Sequence, residues 1–533
     1  MQDFSLLLSI LIPTIAGLFF VALFMLGKKV SRTICGVISF LVLIISTLLL
    51  LNATFELVRI GNPVEETYGI QFFTINSNFN LMGDWLSLPI ALAISFLSAL
   101  SALYSISYME SLEAVKLEKG MIDYSIAYKK GLENPDYVPD RKSGEVPSIT
   151  AYFGNLLIFV AGMLGTLLST NLIQLFIFFE AIIIPTFILV YVWGSGPCRL
   201  IATKYFVYMF VGGALLLLGI AWIYALTGSL DMYALPNLIH KIVGTSAIGI
   251  AFLIFIGFGI KAAIFPFHSW LPDFHAEAPV PIHALLSAVL IKCGVYGILR
   301  IVFQYFPFFV GGLGNEPAKL ILMVISLITM LWGAGMALVQ VQIKRILAYS
   351  SVNQVGYIML GLFTGSPIGI LGGLFHIITH GVGKGMLLLC AGSIIHQTHV
   401  RDVDKLGGLA KKMPLTAIAV LIGGLSIAGF PPLAGFASEW MIFVGVMDAG
   451  YWPLALIGIL STALTMSYYL WAVRRIFYQE ENPKFEHVKE SPKLMTIPIL
   501  IEIAILIVLG LYPQLALEIL KPASDLLLGF LGG

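Results

Sequence analysis

Four lysines, Lys204, Lys261, Lys292 and Lys384, and two glutamates, Glu180 and Glu439, stand inside long apolar runs of this sequence. A charge at the centre of a bilayer is disfavoured by roughly 2.5–3.5 kcal/mol on insertion scales, and residues of this kind persist where they face a polar interior and carry protons, ions or substrate. Glu180 lies in LIQLFIFFEAIIIPTF and Lys261 in GFGIKAAIFPFHSWLP. A carboxylate and an ammonium about 4 Å apart attract by roughly 4 kcal/mol at an effective dielectric near ~20. Paired, both groups stay charged; separated, desolvation disfavours the ammonium. A buried lysine whose partner comes and goes is therefore a switchable proton site. The competing reading of Glu180 is a carboxylate satisfied by hydrogen bonds. For Lys261 that reading is weaker, because its apolar neighbours cannot satisfy three donors.

Lys292 lies in HALLSAVLIKCGVYGILR, where His283, Ser287 and Lys292 fall roughly on one stripe. It reads as a relay, with a snorkelling lysine as the alternative. Lys204 begins ATKYFVYMF, close to a boundary, where snorkelling competes with function. His376, His380 and Lys384 follow at i, i+4 and i+8 in LFHIITHGVGKGMLLL and share one helix face. The two histidines have the spacing of a metal pair, but no nearby Cys or carboxylate completes a site. A stripe of two imidazoles and an amine suits proton transfer, against helix–helix hydrogen bonding as the bland alternative. Glu439 follows the GFPPLAG break and reads as the end of the row, or as a helix-capping carboxylate. GFGIKA superficially echoes a dinucleotide glycine motif, but it follows no strand and lies in an apolar run. Walker motifs and catalytic triads are absent from the sequence. The four cysteines, Cys35, Cys198, Cys293 and Cys390, form no CxxC pair, which argues against an iron–sulfur cluster, structural zinc or a disulfide framework. No catalytic residue, cofactor or metal is expected on this chain.

The elements that must position these residues are membrane helices. Of 533 residues, 59% are hydrophobic and only 11% charged, and runs of about 20 apolar residues cross the hydrocarbon core as helices. The expectation is an all-α, polytopic membrane protein with about 14 spans, at 4–26, 31–51, 82–108, 150–169, 171–193, 203–226, 247–265, 282–303, 319–340, 344–363, 368–396, 415–445, 452–478 and 495–516. The first span lacks a basic leader region and a cleavage site, so it reads as retained. Between spans, Lys and Arg sort by side. One side takes Lys28, Lys29 and Arg32, six residues from Lys116 to Lys142, Arg199, Lys344 and Arg345, four from Arg401 to Lys412, and five from Arg474 to Lys493. The other keeps Arg59, Lys241, Arg300, Lys319 and Lys521. The positive-inside rule then places both termini outside a cell membrane. The formal net charge of +1 gives no sign of nucleic acid as a partner.

This divides the chain into three helices over 1–109, a polar cytoplasmic loop over 110–147, helices 4–8 over 148–303, helices 9–13 over 319–480, and a C-terminal helix over 490–533. The loop is a solvated linker or a docking surface for a soluble partner. Helices 7 and 12 carry breakers beside charges: Gly257, Gly259 and Pro266 around Lys261, and Gly429, Pro431, Pro432 and Gly435 before Glu439. Broken helices at matching places in two halves point to two inverted five-helix repeats with a central site. Ordinary proline kinks are the competing reading.

Several stretches resemble one family. PFHSWLPDFHAEAPVPIHALLSAVLIKCGVYGILR, IKRILAYSSVNQVGYIMLG, HGVGKGMLLLCAGSIIHQTHVRDVDKLGGL, FFEAIIIP and GFPPLAGFASEW are similar to segments of the antiporter-like membrane subunits of respiratory complex I. Related proteins occur in Mrp-type sodium/proton antiporters and in membrane-bound hydrogenases and related archaeal redox complexes. The resemblance implies 14 helices, two inverted repeats and a proton path in which Glu180 pairs with Lys261, Lys292 is the central relay and Glu439 the terminal site. Glutamate at the last position resembles the M-type subunit, whereas the Lys384 helix and its His396/His399 ending resemble L- and D-type relatives. The 110–147 loop is longer than the resemblance implies, and no long helical arm after the last span argues against the L type. The implied role is a non-redox, proton-translocating subunit of an oxidoreductase-type translocase. It would partner other membrane subunits, homologous antiporter-like ones among them, lipid, and indirectly peripheral iron–sulfur or other redox subunits. The alternatives are a subunit of an Mrp-type antiporter without a redox module, and a structural membrane anchor.

Overall fold

In hydrocarbon a backbone must satisfy its own N–H and C=O groups, so apolar runs close into helices. The structure, a computed structural model, describes residues 4–71, 78–119 and 148–532. We number its long helices in chain order: α1 (Ser5–Met25), α2 (Arg32–Ile60), α3 (Ser87–Lys119), α4 (Ile149–Leu168), α5 (Leu172–Trp193), α6 (Cys198–Thr227), α7 (Gly244–Glu277), α8 (Val280–Phe303), α9 (Glu316–Leu338), α10 (Ile343–Phe363), α11 (Pro367–Thr398), α12 (Pro414–Ile427 with Ala434–Asp448), α13 (Trp452–Tyr478), α14 (Lys493–Leu511) and α15 (Gln514–Leu531). Among the described residues, 13 helices are long and apolar enough to cross a membrane. The twelfth position is filled by the two shorter pieces of α12. This is a multi-pass membrane protein, and the helices fall where the apolar runs predict them.

Several boundaries differ from those expectations. α2 continues to Ile60, and α3 continues to Lys119, so the polar segment starts as helix; the remainder of the 110–147 loop, residues 120–147, lies outside the described residues. The last apolar run stops at Leu511, and a separate helix, α15, follows it. Strands β1 (Val64–Gln71) and β2 (Asn78–Gly83) pair antiparallel between α2 and α3. Their short, mixed pattern carries no strong periodic signal. From β1, Glu66 reaches the start of α1 and accepts hydrogen bonds from the N–H groups of Leu6 and Leu7 at 2.7 and 2.9 Å. A carboxylate there satisfies orphan donors and opposes the positive end of the helix dipole.

α7 and α12 are both interrupted. α7 stops at Ala262, and Ala263 turns left-handed (φ 59°) before Trp270 restarts the helix. Trp270 Nε1 donates to the carbonyl of Ile260 at 2.8 Å, satisfying an acceptor freed by the break. α12 stops at Ile427, turns at Gly429 (φ 64°), and restarts at Ala434. α8 is buried along its whole length and α4, α10 and α11 nearly so. Around them α1, α2, α6, α9, α13 and α14 expose large apolar side chains such as Ile15, Leu48, Phe210, Ile321, Leu456 and Leu500, the surface a lipid-facing shell requires.

Candidate functional site: a buried polar row

Lys261 is 1% exposed and occupies the last turn of the first half of α7. The C-terminal end of a half-helix is favourable ground for a cation. Its ammonium donates to the carbonyl of Phe179 at 2.6 Å and lies 3.5 Å from the Phe179 ring centroid. Phe179 precedes Glu180 on α5, which is itself interrupted at Ile182. The Glu180 Oε1 atom is buried without a hydrogen-bond partner. In this structure the lysine therefore binds the backbone beside Glu180 rather than its carboxylate. Lys261 and Glu180 stay within electrostatic reach of each other.

Lys292 is 2% exposed, on α8. Residues 286–290 form a π-helical turn, which realigns the side chains around it. The Lys292 ammonium donates to the carbonyl of Ser287 and meets His380 Nδ1, both at 2.7 Å. Ser287 and Ser351 of α10 share a 2.5 Å hydrogen bond. The rings of His380 and His376 follow each other with centroids 6.2 Å apart. His376 is held on both ring nitrogens: Nδ1 to Ser438 Oγ at 2.8 Å and Nε2 to Gln354 Oε1 at 2.7 Å. Gln354 donates to Asn353 Oδ1, and Asn353 donates to Ser461 Oγ at 3.0 Å. The row thus runs from α8 through α11 to α10, α12 and α13.

Lys384, on the same face of α11, turns toward α10 and α13. It donates to Ser350 Oγ at 2.6 Å, to Tyr469 OH at 2.9 Å and to the Leu347 carbonyl at 3.3 Å. Glu439 is 2% exposed and lies in the second turn of the restarted α12. It caps nothing; Oε2 accepts from Thr462 at 3.2 Å, Thr462 also bonds Tyr357 at 2.8 Å, and Oε1 has no partner.

Two residues stand apart from this row. Lys204 donates to Asp273 Oδ2 at 2.8 Å and to the Ser269 carbonyl at 3.0 Å, with Arg345 on the other Asp273 oxygen at 3.1 Å. It belongs to a partly exposed ion cluster at the end of the bundle. His283 packs on His275 with ring centroids 4.9 Å apart, and neither ring has a hydrogen-bond partner. The sequence reading missed Gln354, Ser438, Asn353 and Tyr469, polar residues of ordinary appearance until three-dimensional neighbours are known. It counted Arg300, Lys344 and Arg401 with the loops. In the structure all three are buried: Arg300 against Asp84 at 2.7 Å, Lys344 on the Ala278 carbonyl at 2.6 Å, and Arg401 against Glu277 at 3.1 Å. It also passed over Glu502, a lone carboxylate in LMTIPILIEIAILIVLG that carries the same signal as Glu180.

Residues 169–465, the segment that holds every residue of the row, match the family described as NADH:quinone oxidoreductase/Mrp antiporter, TM. Residues 70–116 match the N-terminus of chain 5 of NADH-ubiquinone oxidoreductase (complex I). The chain is similar to the NADH-quinone oxidoreductase subunit M of Rickettsia prowazekii, 32% identical over 366 residues covering 68% of this chain and 73% of that protein. Its fold follows a chain in respiratory complex I of Thermus thermophilus, with a TM-score of 0.80, 25% identity, and coverage of 99% of this chain and 100% of that one. It also follows a chain of the Mrp complex of Dietzia sp., with a TM-score of 0.81, 21% identity and 99% coverage of both. Together with the buried row and the interrupted seventh and twelfth helices, these matches place the chain in the family of antiporter-like membrane subunits shared by NADH:quinone oxidoreductases and Mrp antiporters.

Proposed function

We propose that this chain moves protons through a row formed by Glu180, Lys261, Lys292, His380, His376, Lys384 and Glu439. In this reading it works as a membrane subunit of a redox-driven pump, beside other antiporter-like subunits and coupled indirectly to peripheral redox subunits. The observation that carries the reading is the junction of Lys292, His380 and His376, which joins three of these seven residues and, through Gln354 and Ser438, ties α8 and α11 to α10 and α12. Lysine and histidine exchange protons along such contacts when small motions alternate their partners. Lys261 supports this, because it has two candidate partners within reach, the Phe179 carbonyl it now holds and the neighbouring carboxylate. Helices 4–8 and 9–13 then act as two repeats, with the broken α7 in the first matched by the broken α12 in the second. Lys204 and His283, which stand apart from the row, serve proton entry in this reading. We place the chain in the plasma membrane with both termini outside.

The test is proton translocation by the assembled complex in sealed vesicles driven by its own electron donor. Lys261→Ala and Lys292→Ala should assemble normally and lower the rate by roughly 100-fold or more, the scale set by loss of an acid–base group. Undiminished translocation in Lys261→Ala would return the chain to the role of structural anchor. Purification of the native complex without any redox subunit would instead make it part of an antiporter.

A further inference from the structure

Glu502 lies halfway along α14, 1% exposed, in a helix whose other buried positions are Met495, Thr496, Pro498, Ile499 and Leu506. Oε2 is buried without a hydrogen-bond partner, and among the described residues no ion pair reaches the group. An ionised carboxylate in such a place is strongly disfavoured, whereas the neutral acid is tolerated. The carboxyl faces α11. A Cβ built on Gly385 would stand 2.8 Å from Glu502 Oε1 and 3.7 Å from Cβ of Ala288. Gly385 follows Lys384, and Ala288 follows Ser287, the residue that receives the Lys292 ammonium. The acid therefore lies against the α11 backbone at the residue after Lys384, near the α8 residue that follows Ser287.

Its seat repeats that of two carboxylates of the row. A Cβ on Gly213 would come within 2.6 Å of both Glu180 oxygens, and a Cβ on Gly429 within 2.5 Å of Glu439 Oε2. In all three places a missing side chain lets a carboxyl lie on a neighbouring backbone.

We infer that Glu502 is a proton-binding site on α14, exchanging protons with the buried row across the glycine gap of α11. The inference rests on the proton-conducting reading of the row. In the assembled complex in sealed vesicles, Glu502→Gln should reduce proton translocation severalfold, and Glu502→Asp should restore part of it. The infrared band of a protonated carboxylic acid should be present in the wild-type complex, shift in heavy water, and be lost in Glu502→Gln. Normal translocation in Glu502→Gln while Lys261→Ala is inactive would overturn the branch and leave the row standing; normal translocation in both would remove the row as well. Reduced translocation with an unchanged infrared band would show a purely positioning residue and equally overturn the site. Should Glu502→Gln fail to assemble, a hydrophobic carbodiimide decides on the wild-type complex. The reagent adds to a protonated carboxyl and leaves an N-acylurea on it. An adduct on the peptide holding Glu502 supports the site, and modification of Glu180 or Glu439 with Glu502 untouched overturns it.

Discussion

Glu180 and Glu439 belong to different halves of the chain, yet each carboxyl rests on an α-carbon that bears no side chain. The cause is steric: a membrane helix can bring a carboxyl to mid-depth only if the facing backbone yields space, and Gly213 and Gly429 yield it. Gly213→Ala would put a methyl carbon 2.6 Å from both Glu180 oxygens, a contact that forces the carboxyl away from its place beside Phe179 and Lys261. A misplacement of about 1 Å costs a reacting group up to about 100-fold. Translocation by Gly213→Ala is expected to fall to the level of Glu180→Gln, with the complex still assembled. A wild-type rate would show that the position of Glu180 is immaterial. At this scale the sequence was informative about charges and silent about partners. A lysine in an apolar run declares itself, because its cost is local. That Lys292 meets His380, 88 residues away, or that Lys261 chooses a backbone carbonyl, depends on packing that no local pattern encodes.

Among the elements, α8 ties the row to one end of the bundle. Lys292 sits at its middle, and two turns on Arg300 forms a two-pronged ion pair with Asp84, both contacts 2.7 Å, while Arg300 Nε donates to Tyr296 OH at 3.0 Å. Asp84 also opens α3, accepting from the N–H of Ser87 at 2.8 Å. One carboxylate thus fixes β2, the start of α3 and the far half of α8. Removing one partner of a buried pair costs roughly 3–5 kcal/mol because the other charge is stranded. Asp84→Asn should lower the thermal unfolding midpoint of the purified complex, and Asp84→Asn with Arg300→Gln should recover part of the loss. An unchanged midpoint in the single variant would contradict this anchoring role. Burial alone would push the Asp84 carboxyl up, but the Arg300 charge and the Ser87 hydrogen bonds outweigh it and hold the group below its ordinary value. A depressed folded value makes the stabilisation complete above the unfolded aspartate value near ~3.9. It is lost only as pH falls through the folded value, so the difference between wild type and Asp84→Asn should persist at mildly acid pH. The helices themselves were legible from apolar length. The hairpin that delivers Asp84 was not, since short strands of mixed polarity resemble loop.

Over the whole molecule, charge and architecture agree on two unlike ends. The basic connections meet at one end. Arg32 pairs with Glu110 at 3.2 Å, the Val403 N–H bonds the Val341 carbonyl at 2.9 Å, Lys411 pairs with Glu481 at 3.2 Å, and Arg475 pairs with Asp404. The opposite end carries the hairpin, the start of α1 held by Glu66, and the close of α15, where the Leu313 N–H bonds the Leu531 carbonyl at 3.0 Å. Helix packing therefore gathers residues that the charge pattern alone assigns to one side. If the basic end is cytoplasmic, a cysteine at exposed Lys411 should react with a membrane-impermeant thiol reagent only after cells are opened. A cysteine at exposed Lys241, in the connection between α6 and α7, should react in intact cells. The four native cysteines are all buried, so background labelling should be low. The reverse pattern would invert the molecule in the membrane. On the proposed proton path it would also reverse which end of the buried row receives protons and which releases them, while leaving the contacts within the row unchanged.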